Sequence, residues 1–260
     1  MPKVNTFDSG VPCWVDLAAA DVEAAKKFYS GLFGWTWTSG EMPQGGTYWG
    51  AQLDGAGVAG LMALPPEVAA KDVPSTWNTY IGVANVDATT ATAAGAGATV
   101  IVPPMDIPAA GRMSFIADPS GAAFGLFQGG EQRAERLVKE HGALVWSEVY
   151  APDTEATVSF YTELFGWTEG SMEIPGGVTY TTFELDGEPV GGTMPPPNEE
   201  VPPHWHVWLA SDDTEATTTK AAELGADVLV DPTDSPYGKI GSFRDPVGAV
   251  FSVIKPAKPS

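Results

Sequence analysis

The sequence predicts an α+β protein built by tandem duplication: four βαβββ modules that pair into two cups of curved mixed sheet, with the helices outside. Three observations predict it. The stretch "FYSGLFGW" at Phe28 returns as "FYTELFGW" at Phe160, a displacement of 132 in a chain of 260 residues. Other positions keep that offset: Trp14 with Trp146, Asp21 with Asp153, Val58 with Val190, Gly60 with Gly192 and Met62 with Met194. The offset falls to 128 for Trp77 with Trp205, Asp106 with Asp234 and Ser114 with Ser242, and ends at 127, where "DPSGAAF" from Asp118 meets "DPVGAVF" from Asp245. Finally, each half reads as strand, helix and three strands, twice over.

The elements follow in order. "PCWVDLAA" reads as a strand, and Asp21 caps a helix in which Val22, Ala25, Phe28, Tyr29 and Leu32 recur at helical spacing, with Glu23 in the first turn. Gly34 ends it. "WTWTS", "TYWGAQLDG" and "VAGLMAL" read as three strands, and "WNTYIGVANV" opens a second module whose Ala-rich helix starts near Asp87. "TVIVPP", "RMSFIAD" and "AAFGLF" complete it. A βαβββ unit leaves one sheet face uncovered, and pairing two closes a cup around a cavity. Phe28, Leu32, Phe33 and Trp35 are then packing residues laid on the sheet. The predicted domains are residues 1–130 and 142–260, joined by a linker at 131–141 in which "EQRAERLVKE" is expected to form a short helix.

Composition narrows the function. A hydrophobic content of 43% supports a buried core. The net charge of −20 argues against nucleic acid or an anionic membrane as partner, since both are polyanions that recruit Lys and Arg. Cys13, the only cysteine, allows no intrachain disulfide. The start "MPKVNTFDSG" has no apolar leader run, and every hydrophobic run is interrupted short of a membrane span. The expectation is a soluble, cytoplasmic monomer or homodimer that binds a small molecule.

The helix motif "AAKKFYSGLFGW" with its second copy, and the strand-end motifs "DPSGAAFGLF" and "DPVGAVFSVI", resemble the glyoxalase/bleomycin-resistance/extradiol-dioxygenase (vicinal oxygen chelate) superfamily over essentially the whole chain. "GVPCWVDL", "WNTYI", "GRMSFIADPSGAA" and "HWHVW" are similar to its actinobacterial two-domain glyoxalase-like group. The resemblance implies that a divalent metal, where members use one, is held inside a cup by His, Gln or Glu on the first strands and Glu on the last. Carried onto this chain, those places fall on Trp14 or Asp16, Gly60 or Met62, Asn78 and Gly125 in the first cup. In the second they fall on Trp146 or Glu148, Gly192 or Met194, His206 and Ser252. One or two donors per cup do not make a tight site, so neither a family metal nor any other cofactor is expected.

Other residues remain as candidates for chemistry. Asp16 and Glu148 stand at equivalent places on first strands, either as cavity acids and bases or as carboxylates bonded in a structural role. His204, His206 and Trp208 alternate onto one strand face, and the histidines suit a metal, a ligand or a structural hydrogen bond. Asn78 stands where His206 stands, so the first cup lacks its proton chemistry. Arg112 and Lys239 lie near corresponding turns, as cations for a ligand's anionic group or as solvated charges. Trp14, Met62, Tyr80, Trp146, Met194 and Trp208 are the expected cup walls. Two functions follow: a metal-independent glyoxalase-like protein that binds an apolar or aromatic molecule, with Glu148, His206 or Asp16 doing acid–base work, or a non-catalytic protein that sequesters a drug or metabolite.

Overall fold

The computed structural model describes residues 3–4, 8–43, 45–69, 73–130, 135–174 and 176–257. After the two-residue strand β1 (Lys3–Val4), the first module runs β2 (Pro12–Ala19), α1 (Val22–Phe33), β3 (Thr36–Glu41), β4 (Thr47–Leu53) and β5 (Ala56–Ala63). The short helix α2 (Pro66–Ala69) leads to the second: β6 (Thr76–Gly82), α3 (Val86–Gly95), β7 (Thr99–Ile107), β8 (Gly111–Ala117) and β9 (Ala123–Gly129). The strand β10 (Arg136–Leu137) precedes a third module of β11 (Leu144–Tyr150), α4 (Thr154–Phe165), β12 (Thr168–Ile174), β13 (Val178–Leu185) and β14 (Glu188–Met194). The fourth holds β15 (His204–Ala210), α5 (Thr214–Glu223), β16 (Asp227–Ser235), β17 (Gly238–Arg244) and β18 (Val250–Pro256). All four βαβββ units are therefore present. The expected linker helix is not: Arg136 and Leu137 are extended and pair with β1 and β5, and 131–134 lie outside the described residues.

Local chemistry sets the helix ends. The Asp21 carboxylate accepts from the Ala24 N–H at 3.0 Å, and Asp153 does the same for Ala156. Gly34 and Gly166 close these helices in the left-handed region, at φ of 74° and 71°, where a Cβ would be strained.

The two modules of each half share one sheet through their first strands. In the second half the order is β12-β13-β14-β11-β15-β18-β17-β16; the first half repeats it as β3-β4-β5-β2-β6-β9-β8-β7, with β10 and β1 added at β5. The central pairs β2–β6 and β11–β15 are antiparallel, and each joins a parallel neighbour from its own module. The second sheet curls far enough for its ends to meet: the Tyr237 hydroxyl, on the β16–β17 turn, lies 2.9 Å from Met172 Sδ on β12.

The ladders also correct one sequence match. Phe115 pairs with Gly125 where Ser242 pairs with Ser252, and Arg112 pairs with Gln128 where Lys239 pairs with Lys255. The offset is thus already 127 at Arg112, and Ser114 is not the counterpart of Ser242. The missing residue lies in the turn, because Ile107 pairs with Gly111 whereas Ser235 pairs with Gly238.

Hydrophobic burial crosses the midpoint of the chain. One core cluster joins Val15, Phe28, Tyr29, Leu61 and Trp77 to Val207, Phe243, Phe251 and Val253; the other joins Ile81, Ile116, Phe124 and Leu126 to Phe160, Tyr161, Phe183 and Trp205. The repeated helix motif therefore packs on its own sheet and on the other half at once. Tyr29 donates to Asp245 Oδ2 at 2.8 Å and receives Trp77 Nε1; Tyr161 donates to Asp118 Oδ2 at 2.9 Å and receives Trp205 Nε1. Trp35 and Trp167 donate to the carbonyls of Gly142 and Gly10. Both recurring motifs, the FY helix and the DP turn, meet each other across the halves.

Candidate functional site

Strand alternation puts Val15 and Leu17 in the core and turns Trp14, Asp16 and Ala18 to the opposite, cup-facing side. Register partners share a face, so Asp16 stands beside Gly60 and Asn78, Trp14 beside Tyr80, and Tyr80 beside Gly125. Asp16 is only 2% exposed and its carboxylate is fully engaged. Asn78 Nδ2 donates to it at 2.8 Å, the Tyr80 hydroxyl at 2.9 Å and the Tyr48 hydroxyl at 3.3 Å, while Trp14 Nε1 donates to Tyr48. Burial raises the carboxyl's proton affinity and these donors counter it.

The second cup repeats the arrangement with different outer members. Glu148 receives the Tyr150 hydroxyl and Trp208 Nε1 on Oε1, both at 2.9 Å, and the Tyr180 hydroxyl on Oε2 at 2.8 Å; Trp146 Nε1 donates to Tyr180. Burial again raises the carboxyl and the hydrogen bonds oppose it. His206 Nε2 lies 2.7 Å from Ser252 Oγ, which lies 2.6 Å from Ser242 Oγ. Burial, and behind it the neighbouring His204, lowers His206 to about 3, so its ring is neutral. His204 is lowered by burial too.

Three glycines explain how the rings fit. A Cβ on Gly60 would stand 1.8 Å from the Tyr48 hydroxyl, one on Gly125 2.0 Å from Tyr80 Cδ1, and one on Gly192 2.2 Å from the Tyr180 hydroxyl. At these places no side chain exists to donate to a metal, and an aromatic residue uses the room. No group of three or more His, Cys, Asp or Glu among the described residues is placed to hold a metal ion.

The structure brings Trp14, Asp16, Asn78 and Tyr80 together in the first cup, with Met62 on the same face next to Ala18. It gathers Trp146, Glu148, His206 and Trp208 in the second, with Met194 beside Tyr150. Arg112 and Lys239 are not drawn in. They lie on the sheet face opposite Phe115 and Ser242, where Arg112 pairs with Asp87 and Asp106 at 2.8 Å and Lys239 with Glu215 at 2.8 Å. Burial pushes the Cys13 thiol up to about 12. Sequence reasoning missed Tyr48, Tyr180, Tyr150 and Tyr237. The first two share the 132 offset and were findable; Tyr237, whose ring centroid is 6.4 Å from that of Tyr180, has no counterpart in the turn 108–110, which holds proline and alanines. A surface recess of about 530 Å³ lies elsewhere, lined by Glu155, Val158, Glu169 and Thr181.

Comparison with known proteins decides the family. The sequence profile of the "Glyoxalase/Bleomycin resistance protein/Dioxygenase superfamily" matches residues 13–126 and 143–253. The chain belongs to this superfamily. Among similar proteins, "Putative glyoxylase CFP32" of Mycobacterium tuberculosis is 44% identical over 259 residues, 99% of each chain. "Anthracycline biosynthesis protein DnrV" of Streptomyces peucetius is 34% identical over 263 residues, covering 97% of this chain and 95% of that one. The Mn(II)-bound glyoxalase of Novosphingobium aromaticivorans superposes with a TM-score of 0.66 at 18% identity, covering 95% of this chain and 82% of that one. An extradiol ring-cleaving dioxygenase of B. fuscum gives 0.67 at 14%, covering 98% and 74%. At such identities these two establish the shared superfamily fold. No helix among the described residues is long and apolar enough to cross a membrane.

Proposed function

We propose that this superfamily member binds an apolar or aromatic small molecule in its second cup without a family-type metal. The observation that carries the reading is the inner face of that cup: Tyr150 lies against His204 and His206, Trp208 lies against His206, Tyr180 with Trp146 behind it lies on the other side of Glu148, and the Tyr237–Met172 contact bridges the ends of the sheet. Aromatic walls with a few fixed polar groups suit a flat ligand. The first cup is the weaker candidate, because Phe115 and Tyr80 contact there, with ring centroids 6.0 Å apart, where the second has Ser242 and Trp208.

The metal-independent part rests on donors. Carried onto this chain, the superfamily's ligand places fall on Trp14 or Asp16, Gly60 or Met62, Asn78 and Gly125 in one cup and on Trp146 or Glu148, Gly192 or Met194, His206 and Ser252 in the other, and both carboxylates already accept three hydrogen bonds each. That set does not fit an octahedral ion.

The test is equilibrium binding of a panel of planar aromatic compounds to the wild type, Trp208→Ala and Trp14→Ala, with elemental analysis after dialysis against nickel, zinc, iron and manganese. A one-to-one binder lost in Trp208→Ala and kept in Trp14→Ala supports the assignment. Binding indifferent to Trp208 would overturn it, and a stoichiometric retained metal would overturn the metal-free part. A catalytic reading draws on the His206–Ser252–Ser242 chain; it requires that His206→Ala abolish turnover of the bound compound while leaving the fold intact.

A further inference from the structure

Glu148 and His206, the polar groups at the centre of the second cup, are each 4% exposed and already bonded within the protein. His204 is placed differently. It lies two residues before His206 on β15, hence on the same face, and pairs in the ladder with Tyr150. Its ring centroid is 5.1 Å from that of Tyr150 and 5.9 Å from that of His206.

The protonation of His204 follows from its partner. Nδ1 lies 2.9 Å from the carbonyl oxygen of Pro202, and a carbonyl oxygen only accepts. Nδ1 therefore carries the hydrogen, and in the neutral ring Nε2 carries the lone pair. No described residue bonds Nε2, and the side chain is half-buried rather than sealed. The segment before it is stiff: Pro202 and Pro203 fix their φ angles, and the Asn198 side chain caps a turn by accepting from the Glu200 N–H. The first cup has Thr76 at this place and Ala18 where Tyr150 stands, so the feature belongs to one cup alone.

We propose that His204 Nε2 is the hydrogen-bond acceptor of the second cup, and that the molecule bound there presents a hydroxyl or N–H donor at the edge of a flat aromatic body beside Tyr150. The inference rests on the binding function proposed above. Burial, which disfavours the imidazolium, keeps the lone pair available at neutral pH. His204 would thus select among flat ligands by their donors, while the aromatic walls supply the area.

The experiment uses two probes, 2-naphthol and its methyl ether, with the full-length wild type, His204→Phe and Trp14→Ala, together with long-range histidine nitrogen spectra. The free protein is expected to show His204 Nε2 as a pyridine-type nitrogen whose signal moves when 2-naphthol binds. The naphthol is expected to bind at least about tenfold more tightly than the ether, equivalent to about 1.4 kcal/mol. That preference should vanish in His204→Phe and persist in Trp14→Ala. A protonated Nε2 in the free protein, equal affinity for the two probes, or a preference that survives in His204→Phe overturns this inference and leaves the binding function standing. Failure of both probes to bind the wild type overturns both.

Discussion

Replacing Tyr161 with Phe removes one oxygen from the contact between the halves and leaves the ring in place. That oxygen donates to Asp118 Oδ2 at 2.9 Å and accepts from Trp205 Nε1 at 2.8 Å. Tyr161 is 0% exposed, Trp205 2% and Asp118 4%, so water has no ready path to either orphaned group. Asp118 Oδ1 is occupied by the Ser120 and Ala122 N–H groups and cannot compensate. Each buried polar group left without its partner costs about 1–3 kcal/mol, and more for a charged one, so the expected loss is about 3–5 kcal/mol. At roughly 2–4 °C per kcal/mol for a chain near this size, the melting midpoint should fall by about 6–20 °C. Ring stacking on Trp167, at 5.9 Å between centroids, is retained and does not contribute to the loss. Urea unfolding followed by far-UV circular dichroism measures the change, and Tyr29→Phe, which strips Asp245 and Trp77 of the same partner, should lose a similar amount. Because both core clusters span the halves, wild type and variants should unfold in one transition. A loss below about 1 kcal/mol, or two separate transitions, would refute the claim that these hydroxyls lock the halves together.

Other perturbations read the cups. Gly60→Ala would drive a Cβ to 1.8 Å from the Tyr48 hydroxyl and force that ring off Asp16; overpacking of this kind costs about 1–3 kcal/mol. Gly40→Ala, with nothing within 4 Å, should be near neutral by the same urea midpoints, and equal effects would refute the packing argument. His206, held near 3 against an ordinary 6.5, refuses a proton that the unfolded chain accepts between those values, so its contribution to stability is lost as pH falls from about 6.5 toward 3. Glu148, raised by burial, has the opposite sign, so acid unfolding of His206→Asn is compared with wild type, and an unchanged acid limb would contradict the assignment. The Cys13 thiol, 5% exposed and pushed up to about 12, should react with a disulfide reagent only on unfolding; rapid native labelling would contradict its burial.

The fold was legible because its signals are local and occur twice. Asp21 and Gly34 bound the first helix, Asp153 and Gly166 bound its copy, and the repeat made Asp16 and Glu148 equivalent, while the strand registers were needed to turn them to the cup side. What the sequence does not carry is which surfaces meet. Phe28 and Tyr29 show helical periodicity, but nothing in that period says that the stripe also faces Asp245 of the other half. Arg112 read as either a cation for a ligand or a solvated charge, and the period could not choose; the ladder puts it on the helix side, where Asp87 of α3 holds it. The one-residue deletion between Ser235 and Gly238, relative to the turn from Ile107 to Gly111, was masked by a chance "SF" match at Ser114 and Ser242.

The two copies together separate scaffold from site. A carboxylate, a tyrosine on the fourth strand or its copy, a glycine that makes room for the tyrosine and a tryptophan that fixes its hydroxyl occur in both cups, as Asp16, Tyr48, Gly60 and Trp14 and as Glu148, Tyr180, Gly192 and Trp146. A network retained in both, buried and internally satisfied, is what closing a curled sheet over a charged residue requires. The differences fall elsewhere: Ala18, Thr76, Asn78, Tyr80, Phe115 and Gly125 become Tyr150, His204, His206, Trp208, Ser242 and Ser252. Tyr80 and Trp208 each donate to their carboxylate, so that change exchanges one donor for another; each of the other five adds a hydrogen-bonding group to the second cup or exchanges one that cannot titrate for one that can. Stability alone would not call for that enrichment, since the first cup closes without it. Recognition of a polar feature on an otherwise flat ligand does call for it, which is why the second cup is the one to probe.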